Sequence, residues 1–149
     1  MRKIIAQGLF VSLIVLVVLT GCSSTAAPAI SVESAWGRPS ATMPTAGGLY
    51  MIIKNTGNAP DKLLSGTSTA CGSIEVHKMV MKADGTMGMN LVDQPLEIPA
   101  EGQVELKVGG LHIMCIMKND KFVVGDKIDL TLKFENSGEK SVSVELRPE

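Results

Sequence analysis

The chain has 149 residues, with 14 lysines and arginines against 15 aspartates and glutamates and two histidines, for a formal net charge of −1. That balance supplies no basic surface for nucleic acid and no polybasic patch for an anionic membrane. The positive mean hydropathy of +0.24 is inflated by an apolar leader, so it describes the leader and not the rest of the chain.

The chain opens "MRKIIAQGLFVSLIVLVVLTGCSS": a basic start at Arg2 and Lys3, an uncharged run through Leu19, then small residues. This is the pattern of a secretory signal peptide. Its ending "LTGC" resembles a bacterial lipobox, in which the cysteine becomes the lipidated first residue of the mature protein. We therefore read residues 1–21 as a lipoprotein signal peptide and Cys22 as the lipidation site, which anchors the chain to a bacterial membrane outside the cytoplasm. A leader cut later, near "STAA", and a transmembrane anchor are the alternatives. Processing before Cys22 leaves 149 − 21 = 128 residues, the size of one domain.

"STAAPAIS" is small, polar and proline-containing, so residues 22–31 read as the lipidated cysteine and a flexible tether. The domain is expected over 32–149. There, short apolar runs alternate with the turn signals "NTGNAPD", "KADGT", "IPAEGQ", "KVGG", "KNDKFVVGD" and "NSGEK", a spacing that predicts a β-sandwich or barrel. The predicted strands are Ser31–Trp36, Gly48–Asn55, Lys62–Ser65, Ser73–Met81, Met87–Val92, Gln103–Val108, Leu111–Met117, Lys127–Glu135 and Ser141–Leu146.

Alternation along those strands decides which side chains meet. In "SIEVHKMVM" Ile74, Val76 and Val80 share one face, and Glu75, His77, Met79 and Met81 share the other. In "LHIMCIM" Leu111, Ile113, Cys115 and Met117 oppose His112, Met114 and Ile116. The apolar faces are expected in the core, so both His-x-Met pairs point away from it, and Met87 and Met89 share a face as well. Six of the nine methionines lie between Met79 and Met117, and both histidines, at 77 and 112, fall within that stretch or two residues before it. Methionine is an ordinary core filler, yet thioethers gathered beside imidazoles away from the core need another role. Soft thioether with borderline imidazole favours Cu(I) over hard cations, and the local Cys or carboxylate spacings of zinc sites are absent.

These residues sit in a wider pattern. His77 is followed by Met89 after eleven intervening residues, and "HIM" at His112 to Met114 begins after twenty-two more. Around them stand "AWGRPS", "GLYMIIKNTG", "PDKLLS", "EVHKM", "LEIPAEGQVELKVGGLHIM" and "GDKIDLTLKFENSG". Across nearly all of Val32 to Leu146 the chain resembles the PCu(A)C-type periplasmic copper chaperones. The resemblance implies an all-β, cupredoxin-like fold in a single domain, a non-enzymatic Cu(I) carrier, and His77, Met89, His112 and Met114 as metal ligands. Met79 falls at the family's optional methionine, and Met87 is a rival to Met89. It also implies delivery of copper to a cytochrome oxidase subunit or another copper assembly factor. Leu111 stands where the family usually has an aromatic residue, and Val108 to Gly110 replaces its "PGG" turn; neither change touches a donor atom.

An electron-transfer cupredoxin is the runner-up, because Cys115 lies near His112 and Met117, although regular alternation turns it from His112. A structural lipoprotein without metal is the third reading. Cys71 and Cys115 are left as a disulfide or a buried thiol pair. Glu75 either orients His77 or is a solvated surface glutamate, the commoner case. Trp36 and Tyr50 read as packing, and Met43 as an ordinary loop residue that could lean over the site.

Overall fold

The computed structural model describes residues 26–148; the signal peptide and Cys22 lie outside them. Ten strands and no helix occur among the described residues: β1 (Ile30–Pro39), β2 (Ala46–Asn55), β3 (Asp61–Thr67), β4 (Ser73–Met81), β5 (Met87–Leu91), β6 (Leu96–Ile98), β7 (Gly102–Leu106), β8 (Leu111–Ile116), β9 (Lys127–Phe134) and β10 (Gly138–Leu146). They form one sheet in the order β5-β4-β8-β2-β1-β10-β9-β3-β6, with β7 also paired to β2. Only β1 and β10 run parallel; β1 lies antiparallel to β2, with Ile30 opposite Asn55 and Pro39 opposite Gly47.

The alternation that predicted strands also closes the sheet. In β9, Ile128, Leu130, Leu132 and Phe134 point inward while Lys127, Asp129 and Lys133 face water, and they meet Leu49, Met51, Ile53, Ile113 and Leu146 in one core. Curling brings β3 close to β4. A Cβ on Gly66 would lie 2.8 Å from Ile74 Cγ2, so a side chain there would push the two strands apart.

Strand β2 changes partner at Tyr50. Ala46 to Leu49 pair with β8, and Met51 to Asn55 pair with β7. The β7–β8 turn is tightened by a Gly110 N–H to Lys107 carbonyl bond of 3.1 Å, with Gly109 at φ +74°.

Several expected boundaries move. Ile30, assigned to the tether, is in β1, which starts one residue before the predicted strand, and the amides of Ala27 and Ala29 donate to Asn58 Oδ1 and Asn55 Oδ1, each at 2.9 Å. β6 was not predicted: its three residues lie between Pro95 and Pro99, too short for alternation to register, yet Ile98 is fully buried. Phe122, inside a presumed turn, is also core, its ring filling the place where a Cβ on Gly47 would stand. Cys71 and Cys115 form a disulfide with a Cα separation of 5.3 Å, tying the segment before β4 to the core face of β8.

Candidate metal centre

β4 lies between β5 and β8, and register places the donors. His77 is directly opposite His112 across β4 and β8, and Glu75 is opposite Met114. On the other side of β4, Met79 is opposite Met89 and Met81 opposite Met87. Because these residues alternate in step, the donors collect on the sheet face away from the core.

Met89 reaches across β4 to β8, where its Sδ stands 3.2 Å from His112 Nε2. The other nitrogen of that ring, Nδ1, is 3.0 Å from the Gly110 carbonyl oxygen. A carbonyl can only accept, so Nδ1 carries the proton of the neutral ring and Nε2 is left with a bare lone pair. That lone pair faces a thioether sulfur, which is itself a weak acceptor. A soft cation placed between them would be held by both lone pairs. Bond lengths of the kind seen at zinc sites, about 2.0 Å to imidazole nitrogen and 2.3 Å to sulfur, at a tetrahedral angle put two such donors about 3.5 Å apart, somewhat wider than the observed 3.2 Å.

His77 is fixed through its opposite edge. Its Nε2 lies 2.8 Å from Glu75 Oε2, and the carboxylate takes that N–H, as ring-orienting carboxylates do at metal sites. Nδ1 is buried without a hydrogen-bond partner, which leaves a second imidazole lone pair uncommitted. The His77 and His112 rings are 6.2 Å apart, centroid to centroid. Glu75 therefore orients an imidazole, where a solvated carboxylate was the commoner expectation.

Met79, Met89, His112 and Met114 share the wall of a cleft of about 350 Å³ with Met43 and Tyr50. The face turned from the core is not open, as strand parity implied. His112 and Met114 are buried at 6% and 3% exposure, and only Met89, at 37%, meets solvent substantially. The segment after β1, from Ser40 to Met43, lies over the cleft, held by the Met43 N–H to Ser40 Oγ at 3.1 Å. Met43 thus has a place in the site that its loop position did not reveal. Tyr50 was read as packing, and its ring also stands 6.2 Å from that of His112. Gly48 makes room for it, since a Cβ there would fall 2.3 Å from the Tyr50 hydroxyl.

Met87 is half exposed and, like His77, does not line this cleft; register puts Met89, and not Met87, opposite Met79. Cys115 points into the core and is committed to a disulfide; it offers no thiolate, which a blue-copper centre requires. Among the described residues no three His, Cys, Asp or Glu side chains gather, so a metal held here takes thioethers as ligands.

Residues 30–146 match the family model described as "Putative lipoprotein LpqE-like". The chain is 29% identical over 143 residues to "Putative lipoprotein Lxx21020" of Leifsonia xyli subsp. xyli (strain CTCB07), covering 89% of this chain and 84% of that one. Among solved structures it is similar to the copper-bound PCuAC domain from PmoF2, with a TM-score of 0.66 at 23% identity over 80% of this chain and 93% of that one. It is also similar to the Cu(I) form of DR1885 from Deinococcus radiodurans, with a TM-score of 0.63 at 24% identity over 85% of this chain and 83% of that one. The expected cupredoxin-like, all-β architecture is thus the one that PCuAC domains have.

Proposed function

The chain belongs to the LpqE-like lipoprotein family, and on that premise we propose that it is an extracytoplasmic, lipid-anchored Cu(I) chaperone of the PCuAC type. Its ligands are His77 through Nδ1, His112 through Nε2, and the thioethers of Met89 and Met114, with Met79 adjacent. The observation that carries this reading is the 3.2 Å approach of Met89 Sδ to the bare Nε2 of His112. The copper named in the PmoF2 and DR1885 structures supports it.

The donor set suits a cargo that must be released. Neutral thioethers and imidazoles bind soft Cu(I) without adding negative charge, and a thioether does not form disulfides in an oxidising compartment. Met89 is the exposed donor and His112 and Met114 are the buried ones, so an incoming protein ligand displaces Met89 first. Delivery to copper centres of cytochrome oxidase, directly or through another assembly factor, is the destination we propose, and Cys22 is the proposed lipid site.

An anaerobic Cu(I) competition titration, run beside a His112→Ala, Met114→Ala variant and a Zn²⁺ control, tests the site. One tight Cu(I) per chain, lost in the variant and unmatched by zinc, is the expected result. Binding indifferent to those substitutions would overturn the reading.

A further inference from the structure

The β4–β5 hairpin carries thioethers beyond those of the inner site. Met81 is opposite Met87 at its tip, one rung beyond the Met79–Met89 pair, and the two are 75% and 52% exposed. Residues two apart on a strand share a face, so both rungs open on the same side as His77, with a rung spacing of about 7 Å. The turn holds the tip rigid. The Lys82 N–H donates to the Thr86 carbonyl at 2.8 Å, and Asp84 Oδ1 accepts from the Thr86 amide at 2.9 Å and hydroxyl at 2.7 Å.

The hairpin's cations are kept off this face. Lys78 alternates to the other side, and the Lys82 side chain lies across Gly88, where a Cβ would meet its Cε at 2.4 Å. At 75% and 52% exposure this pair buries little of itself, and facing thioethers at cross-strand distance can share one soft cation.

We propose that Met81 and Met87 form a second, outer Cu(I) site of two thioethers, through which the metal enters and leaves the inner one. The inference rests on the inner site being a Cu(I) centre. Transfer is ligand exchange: Cu–S bonds to Met79 and Met89 form as those to Met81 and Met87 break. Copper stays Cu(I), every thioether stays neutral, and no proton or electron moves.

The test is an anaerobic Cu(I) titration of the full chain in detergent, with methionine methyl groups ¹³C-labelled and followed by NMR, beside a Met81→Leu, Met87→Leu variant. The first equivalent is expected to shift the Met89 and Met114 methyls, and the second to shift Met81 and Met87 together. The variant should bind the first equivalent with unchanged affinity, lose the second, and release copper to a chromophoric chelator several-fold more slowly. Inner methyls that shift while Met81 and Met87 stay unmoved through two equivalents would overturn the outer site alone. If none of the four methyls moves, both readings fail.

Discussion

The Tyr50 ring stands 6.2 Å from the His112 ring, tilted by 37°, and Trp36 lies behind it with its ring centroid 4.5 Å away. The tyrosine walls the imidazole on the same sheet face, at the point where β2 changes partner. Tyr50→Phe keeps that wall and is expected to leave Cu(I) binding intact. Tyr50→Ala opens a cavity behind His112 and should cost about 3 kcal/mol of stability. Urea unfolding and Cu(I) competition on the two variants check this, and an unaltered midpoint for the alanine variant would contradict it.

Glu75 acts on the metal only through His77. Its removal leaves the imidazole free to rotate and to change tautomer, so Glu75→Ala is expected to lower Cu(I) affinity about 10- to 100-fold while the fold is kept. Chelator competition reads the affinity, and the imidazole nitrogen shifts of His77 report the tautomer. An unchanged affinity would make the 2.8 Å contact with His77 a surface ion pair and nothing more.

Asp61, at the start of β3, contributes to acid stability. Burial raises its pKa, but hydrogen bonds from Ser137, Asn136 and Lys62 outweigh that and hold it below the ordinary value of 3.8. Its Oδ1 accepts from the amides of Lys62 at 2.8 Å and Asn136 at 2.9 Å, and its Oδ2 from that of Ser137 at 2.9 Å. The unfolded chain takes up the proton more readily than the folded one. The stabilisation is therefore complete above the unfolded value and is lost as pH falls through the lower folded value. Asp61→Asn turns an amide N–H toward one of these donors and should cost about 1–3 kcal/mol at neutral pH, while flattening the acid side of the stability profile. Urea midpoints measured from about pH 5 downward check both effects.

The Cys71–Cys115 disulfide spans 44 residues and anchors β8 from beneath. Cys71→Ser, Cys115→Ser is expected to cost about 2–4 kcal/mol, read as a lower unfolding midpoint. Cys115 is the neighbour of Met114 on β8, so Cu(I) affinity should weaken in the same variant. Unchanged stability would show that β8 is held by its sheet partners alone.

Much of the site was legible because alternation reports faces. Ile113 and Cys115 went to the core and His112 and Met114 to the other side, as the pattern of β8 required. Alternation does not report what lies above a face, so the cover supplied by Met43 and Tyr50, and the burial of His112 that follows, were not visible in it. Nor does it separate residues of equal parity. Met87 and Met89 became distinct only when the β4–β5 register put Met89 opposite Met79, within reach of His112. Glu75 was visible as a neighbour of His77, but its role needed the 2.8 Å distance.

The antiparallel register of β1 and β2 sets which way the copper cleft faces. The described chain begins at the Asn55 end, where Ala27 and Ala29 are held. The cleft lies toward the other end, where Arg38, Pro39, Gly48 and Tyr50 line it. Seven to nine extended residues, from Ala29 to the level of Trp36 and Arg38, separate the two by about 20–30 Å. A lipid on Cys22, as proposed, would attach the domain by the end opposite the cleft. Held by its tether at that end, the domain would leave the cleft open to a membrane-held acceptor or to a soluble intermediary.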